Sequence, residues 1–320
     1  MTPPTTHALT AAPTLDPAQQ DRAITLALLL ANGTFIAGIY AFAKITAGAG
    51  IPVLGTLAWQ MLFAAAVIAV VAAARGEWPQ WNATNLRYAA LAGALGITGP
   101  NLVSFTALAH LPAGLVGVIT ALSPLFTYAI AVALRLEPVL PHRALGIALG
   151  MAGVLGIVLP RGALPTPEAL PWALLAMAAP LLLAGGNVYR SVAWPAGLKP
   201  LGAAALLLLL QAIVLVPLAL VTDTFVAPRA LLGAGDVALL GAGVLTVAFY
   251  LGAFELQKRG GPVVVGQLGY VITVASLAIG ALAFGERPSP FTLLAVAVVF
   301  AGVMLVNRKP AVAPTTGAST

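Results

Sequence analysis

Ten apolar runs, set off by Pro, Gly and scattered charges, limit what this chain can fold into. They fall at about 23–43, 52–74, 86–109, 112–134, 144–160, 170–190, 200–222, 236–257, 262–284 and 291–307. About 20 apolar residues in a helix cross a bilayer. In lipid the backbone must satisfy its own hydrogen bonds, so each run is expected to be a helix. A β-barrel would alternate apolar and polar residues, and these runs are apolar on all faces. The segments between them are short and leave little room for a soluble domain.

The charges agree. Only 8% of residues are charged and 60% are hydrophobic, against about 25% charged in a soluble domain. Too few charges remain to solvate a soluble surface, which excludes a soluble enzyme, a nucleic-acid binder and a disordered chain. The net charge of +6 does not point to nucleic acid, because nearly all the Lys and Arg residues flank the apolar runs. With the N-terminus in the cytoplasm, eleven of the 15 basic residues lie inside. Only Lys44, Arg161, Arg229 and Arg287 lie outside. The positive-inside rule therefore puts both termini of a ten-span chain in the cytoplasm, across a cell inner membrane. The polar stretches 1–21 and 310–320 are expected to be disordered cytoplasmic tails.

Two halves of the chain echo each other. Glu137-Pro-Val-Leu-Pro141 matches Glu286-Arg-Pro-Ser-Pro290, 149 residues on, and Gly302 follows Gly153 by the same interval. Leu111-Pro112 opens the fourth run as Gly261-Pro262 opens the ninth. Leu28-Leu-Leu-Ala-Asn-Gly33 compares with Leu181-Leu-Leu-Ala-Gly-Gly186. The expected domains are thus a first repeat over 22–160 and a second over 161–309. Each repeat has five spans, and five is odd, so the second must insert upside down. Inverted repeats are the mark of many secondary transporters.

Ala107-Leu-Ala-His-Leu-Pro-Ala-Gly114, Ser123-Pro124, Glu137, Gly146 and Gly153 resemble the EamA-type repeat of the drug/metabolite transporter superfamily. Gly269-Tyr270-Val-Ile-Thr-Val-Ala-Ser276 and Phe284-Gly-Glu286 are similar to its second copy. The first half departs from the pattern with Leu136 before Glu137, where the family usually has Gly. The second has Thr273 where the family often has a Pro like Pro124. The resemblance covers about 23–308. It implies an all-α integral membrane fold of ten helices, two inverted five-helix repeats around a central cavity. It also implies transport of small metabolites, often outward; the aromatic amino acid exporters are one branch.

Uncharged polar residues inside spans must find another helix or a wet cavity. The candidates for contact with a solute are Asn32, Gln60, Asn101, Asn187, Gln211 and Gln267, with the aromatic residues Phe105, Tyr250 and Tyr270. Asn32 and Asn187 hold nearly equivalent places in spans 1 and 6, as a two-fold site requires. Tyr270 is expected at the cavity. Such a lining suits a neutral or zwitterionic solute. Glu255 is the acid nearest a span interior and the candidate for proton coupling, although Lys258 and Arg259 at i+3 and i+4 offer it a snorkelling ion pair. Gly99 and Pro100, with Pro124, are the candidate hinges. Gly146, Gly150 and Gly153 form a stripe on span 5 that permits close packing, within the fold or in a homodimer through spans 5 and 10.

The expected function is export of amino acids or related solutes by alternating access, with the bilayer and a small metabolite as partners and no nucleic acid. A passive facilitator or channel is the alternative, and an intramembrane enzyme a remote one. With no cysteine and with His7, His110 and His142 at or beyond span ends, no metal or other cofactor is expected. No G-x-x-x-x-G-K-[ST] loop is present to use ATP.

Overall fold

The structure, a computed structural model, describes residues 17–158, 167–226, 228, 233–265 and 267–307. The expected tails over 1–16 and 310–320 lie outside the described residues. Among the described residues there are ten helical spans and no strand. They are α1 (Pro17–Gly48), α2 (Val53–Ala74), α3 (Ala83–Leu108), α4 (Ala113–Ala133) and α5 (Pro141–Val158). The second half supplies α6 (Leu170–Val192), α7 (Pro200–Val221), α8 (Ala234–Val265), α9 (Leu268–Phe284) and α10 (Pro290–Asn307). Eight helices are long and apolar enough to cross a membrane, and α9 is a shorter apolar helix. Large apolar side chains stand on the outside of the bundle, such as Leu282 at 88% and Val221 at 83% exposure. A surface of that kind requires lipid around it.

Two boundaries differ from expectation. Helix α1 starts at Pro17, inside the expected tail, because proline suits a first helical turn that needs no N–H donor. Helix α8 runs through Gly261-Pro262 to Val265, so that dipeptide does not open the ninth span. In the first half Pro112 does stand at the start of α4. The two X-Pro pairs therefore do different work.

Packing follows a two-fold rule. Helix α1 lies against α8 and α9; α6 lies against α3 and α4; α2 packs on α7, α4 on α9, and α5 on α10. Exchanging each helix for the one five places along maps this set onto itself. Because each unit has five membrane passes, the exchange also reverses direction. The fold is two inverted five-helix repeats.

Small residues allow the closest approaches. A Cβ at Gly146 would stand 2.5 Å from the Gly302 carbonyl oxygen, and one at Gly153 2.8 Å from a Val299 methyl. A Cβ at Gly150 would collide with Leu125. The glycine stripe of α5 is thus filled by α10 and α4 of the same chain. A homodimer through α5 and α10 would have to use their other faces.

Three spans are interrupted. In α3, the stretch Ala94–Thr98 is a π-turn that runs into Gly99 and Pro100. In α4 the helix breaks at Ala121–Leu122, just before Ser123-Pro124. In α6 it breaks at Met177, ahead of Pro180. Each proline withholds the N–H that would bond four residues back. Helix α9 has Thr273 in place of a proline and is continuous. The Thr273 hydroxyl bonds the Gly269 carbonyl and reaches Gly117 on α4 at 3.2 Å.

Candidate central cavity

The interruptions meet in the middle of the bundle. A cavity of about 130 Å³ lies there, bounded by α1 to α4 of the first repeat and α6, α8 and α9 of the second. Helices α5 and α10 contribute nothing to its wall. Gly96 and Thr120 line it, and each lies four residues before a proline. Their carbonyls therefore lack the usual helical donor. Backbone freed in this way is tolerated at membrane depth where it borders a cavity.

The polar wall can be assigned donor by donor. Thr246 gives its proton to the Ala242 carbonyl and accepts from Gln60 Nε2 at 2.7 Å. That leaves Gln60 Oε1 buried and without a partner, an acceptor available to a donor group. Thr120 likewise donates to Val116, so Tyr40 is the donor in the 3.2 Å Tyr40–Thr120 contact that ties α1 to α4. Asn101, Ser104 and Tyr250 complete the polar lining, and Phe249 meets Tyr250 edge-on with ring centroids 5.3 Å apart. The remaining wall is aliphatic.

Of the residues expected at the site, Gln60, Asn101, Tyr250 and Pro100 line the cavity. Gly99 and Pro124 adjoin the interruptions of α3 and α4. The others stand elsewhere. Asn32 is fully buried in the seam between α1 and α8, where it donates to the Leu28 carbonyl and abuts Gly252. Asn187 accepts a 2.5 Å hydrogen bond from Arg190, so the two asparagines do not form a matched pair. Gln211 accepts from Thr98 at 2.7 Å and braces α7 against the π-turn. Phe105 is 1% exposed and lies in the packed core. Gln267 is exposed at the start of α9, because α8 extends further than expected.

Tyr270 turns away from the cavity. Its ring meets Phe300 of α10 edge-on, with centroids 4.8 Å apart. Glu255 lies within α8, five residues beyond Tyr250, where it pairs with Arg259 at 2.6 Å; Arg259 also holds Asp21 at 2.6 Å. Its carboxylate is not part of the cavity wall. Among the described residues no group of three or more His, Asp or Glu could hold a metal.

Sequence reading passed over Tyr40, Ser104, Thr120 and Thr246. Ser and Thr are common in apolar helices, where they bond the carbonyl one turn back, and nothing in their spacing sets these apart.

One end of the bundle is tied together. Glu286 accepts from the backbone N–H groups of Ala113 at 2.9 Å and Gly114 at 3.3 Å, at the N-terminus of α4, and pairs with Lys44 of α1 at 2.5 Å. A carboxylate is favoured at that end of a helix dipole. The contact joins α1, α4 and the corner after α9. A second hollow, about 150 Å³, lies among the loops at 76–80 and 196–199 and Asn85 in the first turn of α3.

Comparison with known proteins agrees with this architecture. The model of the EamA-like transporter family matches twice, over residues 23–159 and 170–308. A solved crystal structure of a protein is similar with a TM-score of 0.59 at 22% identity, covering 90% of this chain and 97% of its own; it speaks to the fold alone. No curated protein matches. The chain belongs to the EamA-like transporter family.

Proposed function

We propose that this member of the EamA-like transporter family is a secondary transporter of the inner membrane that exports amino acids or related neutral or zwitterionic solutes by alternating access. The observation that carries this reading is the cavity between the two inverted repeats, mostly apolar with a few placed hydrogen-bonding groups. Its size suits a small solute; an apolar cavity near 150 Å³ takes up benzene. Gln60, Asn101 and Tyr250, joined by Tyr40, Thr120 and Ser104, contact the solute. The interruptions at Gly99-Pro100 and Pro124 let the halves of α3 and α4 tilt. The Lys44–Glu286 contact releases when the far end opens. Both termini lie in the cytoplasm.

The test is counterflow in proteoliposomes with a panel of amino acids and amines. A carrier gives saturable flux, accelerated by unlabelled solute on the opposite side. Flux that stays linear with concentration and shows no counterflow would establish a channel or passive pore instead.

A further inference from the structure

The described cations that are half-buried in the bundle are Lys44, Arg143 and Arg190. Two of them face acids: Lys44 pairs with Glu286 and Arg143 with Glu137. Arg190, on the inner half of α6, has a neutral partner, the side-chain carbonyl of Asn187. A guanidinium has five donors in a planar fork, so most of that capacity is left over.

Its position joins it to the cavity. The Arg190 Cζ lies 3.8 Å from where a Cβ on Gly96 would stand, and Gly96 is part of the cavity wall. A Cβ there would make only ordinary van der Waals contact, so a larger side chain is needed to close that approach. Tyr250, on the wall, and Tyr88 are both within electrostatic reach of Arg190. The Tyr88 hydroxyl is buried and has no hydrogen-bond partner, and its ring stacks on Tyr189 with centroids 6.0 Å apart. A buried, unpaired donor whose ring stacks on the neighbour of a guanidinium without an acidic partner among the described residues favours an anion with two acceptor oxygens.

We infer that Arg190 anchors the carboxylate of the transported solute, reached from the cavity across Gly96, with the Tyr88 hydroxyl as a further donor. This deepens the transporter reading and rests on it. The solute carries one carboxylate, and a hydrogen-bond donor on it answers Gln60 Oε1. An ammonium group meets that requirement, so an amino acid fits and an amine without a carboxylate does not.

Two matched pairs of probes test this on the purified full chain: L-leucine with L-leucinamide, and L-phenylalanine with L-phenylalaninamide. Each is measured for binding in detergent and for counterflow in proteoliposomes. At least one acid is expected to bind the wild type roughly tenfold to a hundredfold more tightly than its amide. R190Q should erase the preference and R190K should keep part of it, because a lysine retains the charge but not the fork. G96L leaves the charge in place and blocks the approach, and should weaken the acid as R190Q does. It also serves if R190Q fails to elute as a folded species. Acid and amide bound alike by the wild type, neither acid bound, or an acid preference that survives R190Q would overturn the assignment. Acid binding without counterflow would leave Arg190 assigned and overturn transport. Saturable counterflow indifferent to R190Q would do the reverse.

Discussion

The same acidic corner occurs twice in this chain, and the two copies have different surroundings. Glu286 is 14% exposed in its side chain and binds Lys44 and two backbone N–H groups of α4. Glu137, its counterpart, is 49% exposed and, among the described residues, pairs with Arg143 alone, at 3.3 Å. One residue separates them. Gly285 precedes Glu286 with φ +64, a left-handed conformation that costs glycine nothing. That turn caps α9, with both Gly285 and Glu286 donating to the Gly280 carbonyl, and brings the carboxylate back over α4. Leu136 stands before Glu137, and a leucine resists that conformation. The left-handed residue there is Arg135, at φ 59, one position earlier, and Glu137 ends at the surface. Two ends of a symmetric bundle are thereby made unequal: one is locked by a charge cluster, the other held by a tyrosine. At the Glu137 corner Tyr128 donates to the Pro138 carbonyl and accepts from the Leu140 N–H, each at 2.9 Å.

The largest expected effect concerns sidedness. Because the chain has no cysteine, single Val139→Cys and Arg287→Cys variants report on the two exposed corners directly. An impermeant thiol reagent on intact cells should label Arg287→Cys and spare Val139→Cys. Labelling of both from one face would end the inverted arrangement.

Next comes the lock itself. Glu286→Ala leaves Lys44 unpaired and two N–H groups without their acceptor, and should cost about 2–4 kcal/mol in detergent unfolding. Glu137→Ala should stay within about 0.5 kcal/mol. Equal losses at the two positions would erase the contrast.

Smaller effects probe the turns. Gly285→Ala should cost about 1 kcal/mol, since alanine must take a positive φ. It should also weaken the Lys44–Glu286 coupling measured in a double-mutant cycle. Arg135→Gly should change stability in the opposite direction by about 1 kcal/mol or less, by relieving the left-handed arginine. A loss of stability there would show that the Arg135 side chain contributes more than its backbone costs.

Much of the fold was legible before any coordinates. The ten apolar runs became ten helices, with misplacement where helix α8 passes through Pro262. A proline marks a weakened hydrogen bond, and neighbouring helices decide whether the span ends there. The site was legible only in part. Gln60, Asn101 and Tyr250 reach the cavity, whereas Asn32, Gln211 and Asn187 brace helices or hold Arg190. In a soluble helix the polar face reveals which way a residue points. Here every face is apolar, so Tyr270 could not be told from a cavity residue until Phe300 was found against it.

The sequence alone determined the membrane, the helices, the repeat and, through an odd number of spans, its inversion, because these follow from hydropathy and parity. Only the tertiary structure decided which polar groups share a cavity, that the Glu286 corner is locked, and that Arg190 meets no acid among the described residues. Those are properties of helix rotation and of contacts across long stretches of chain, to which a uniformly apolar pattern is blind.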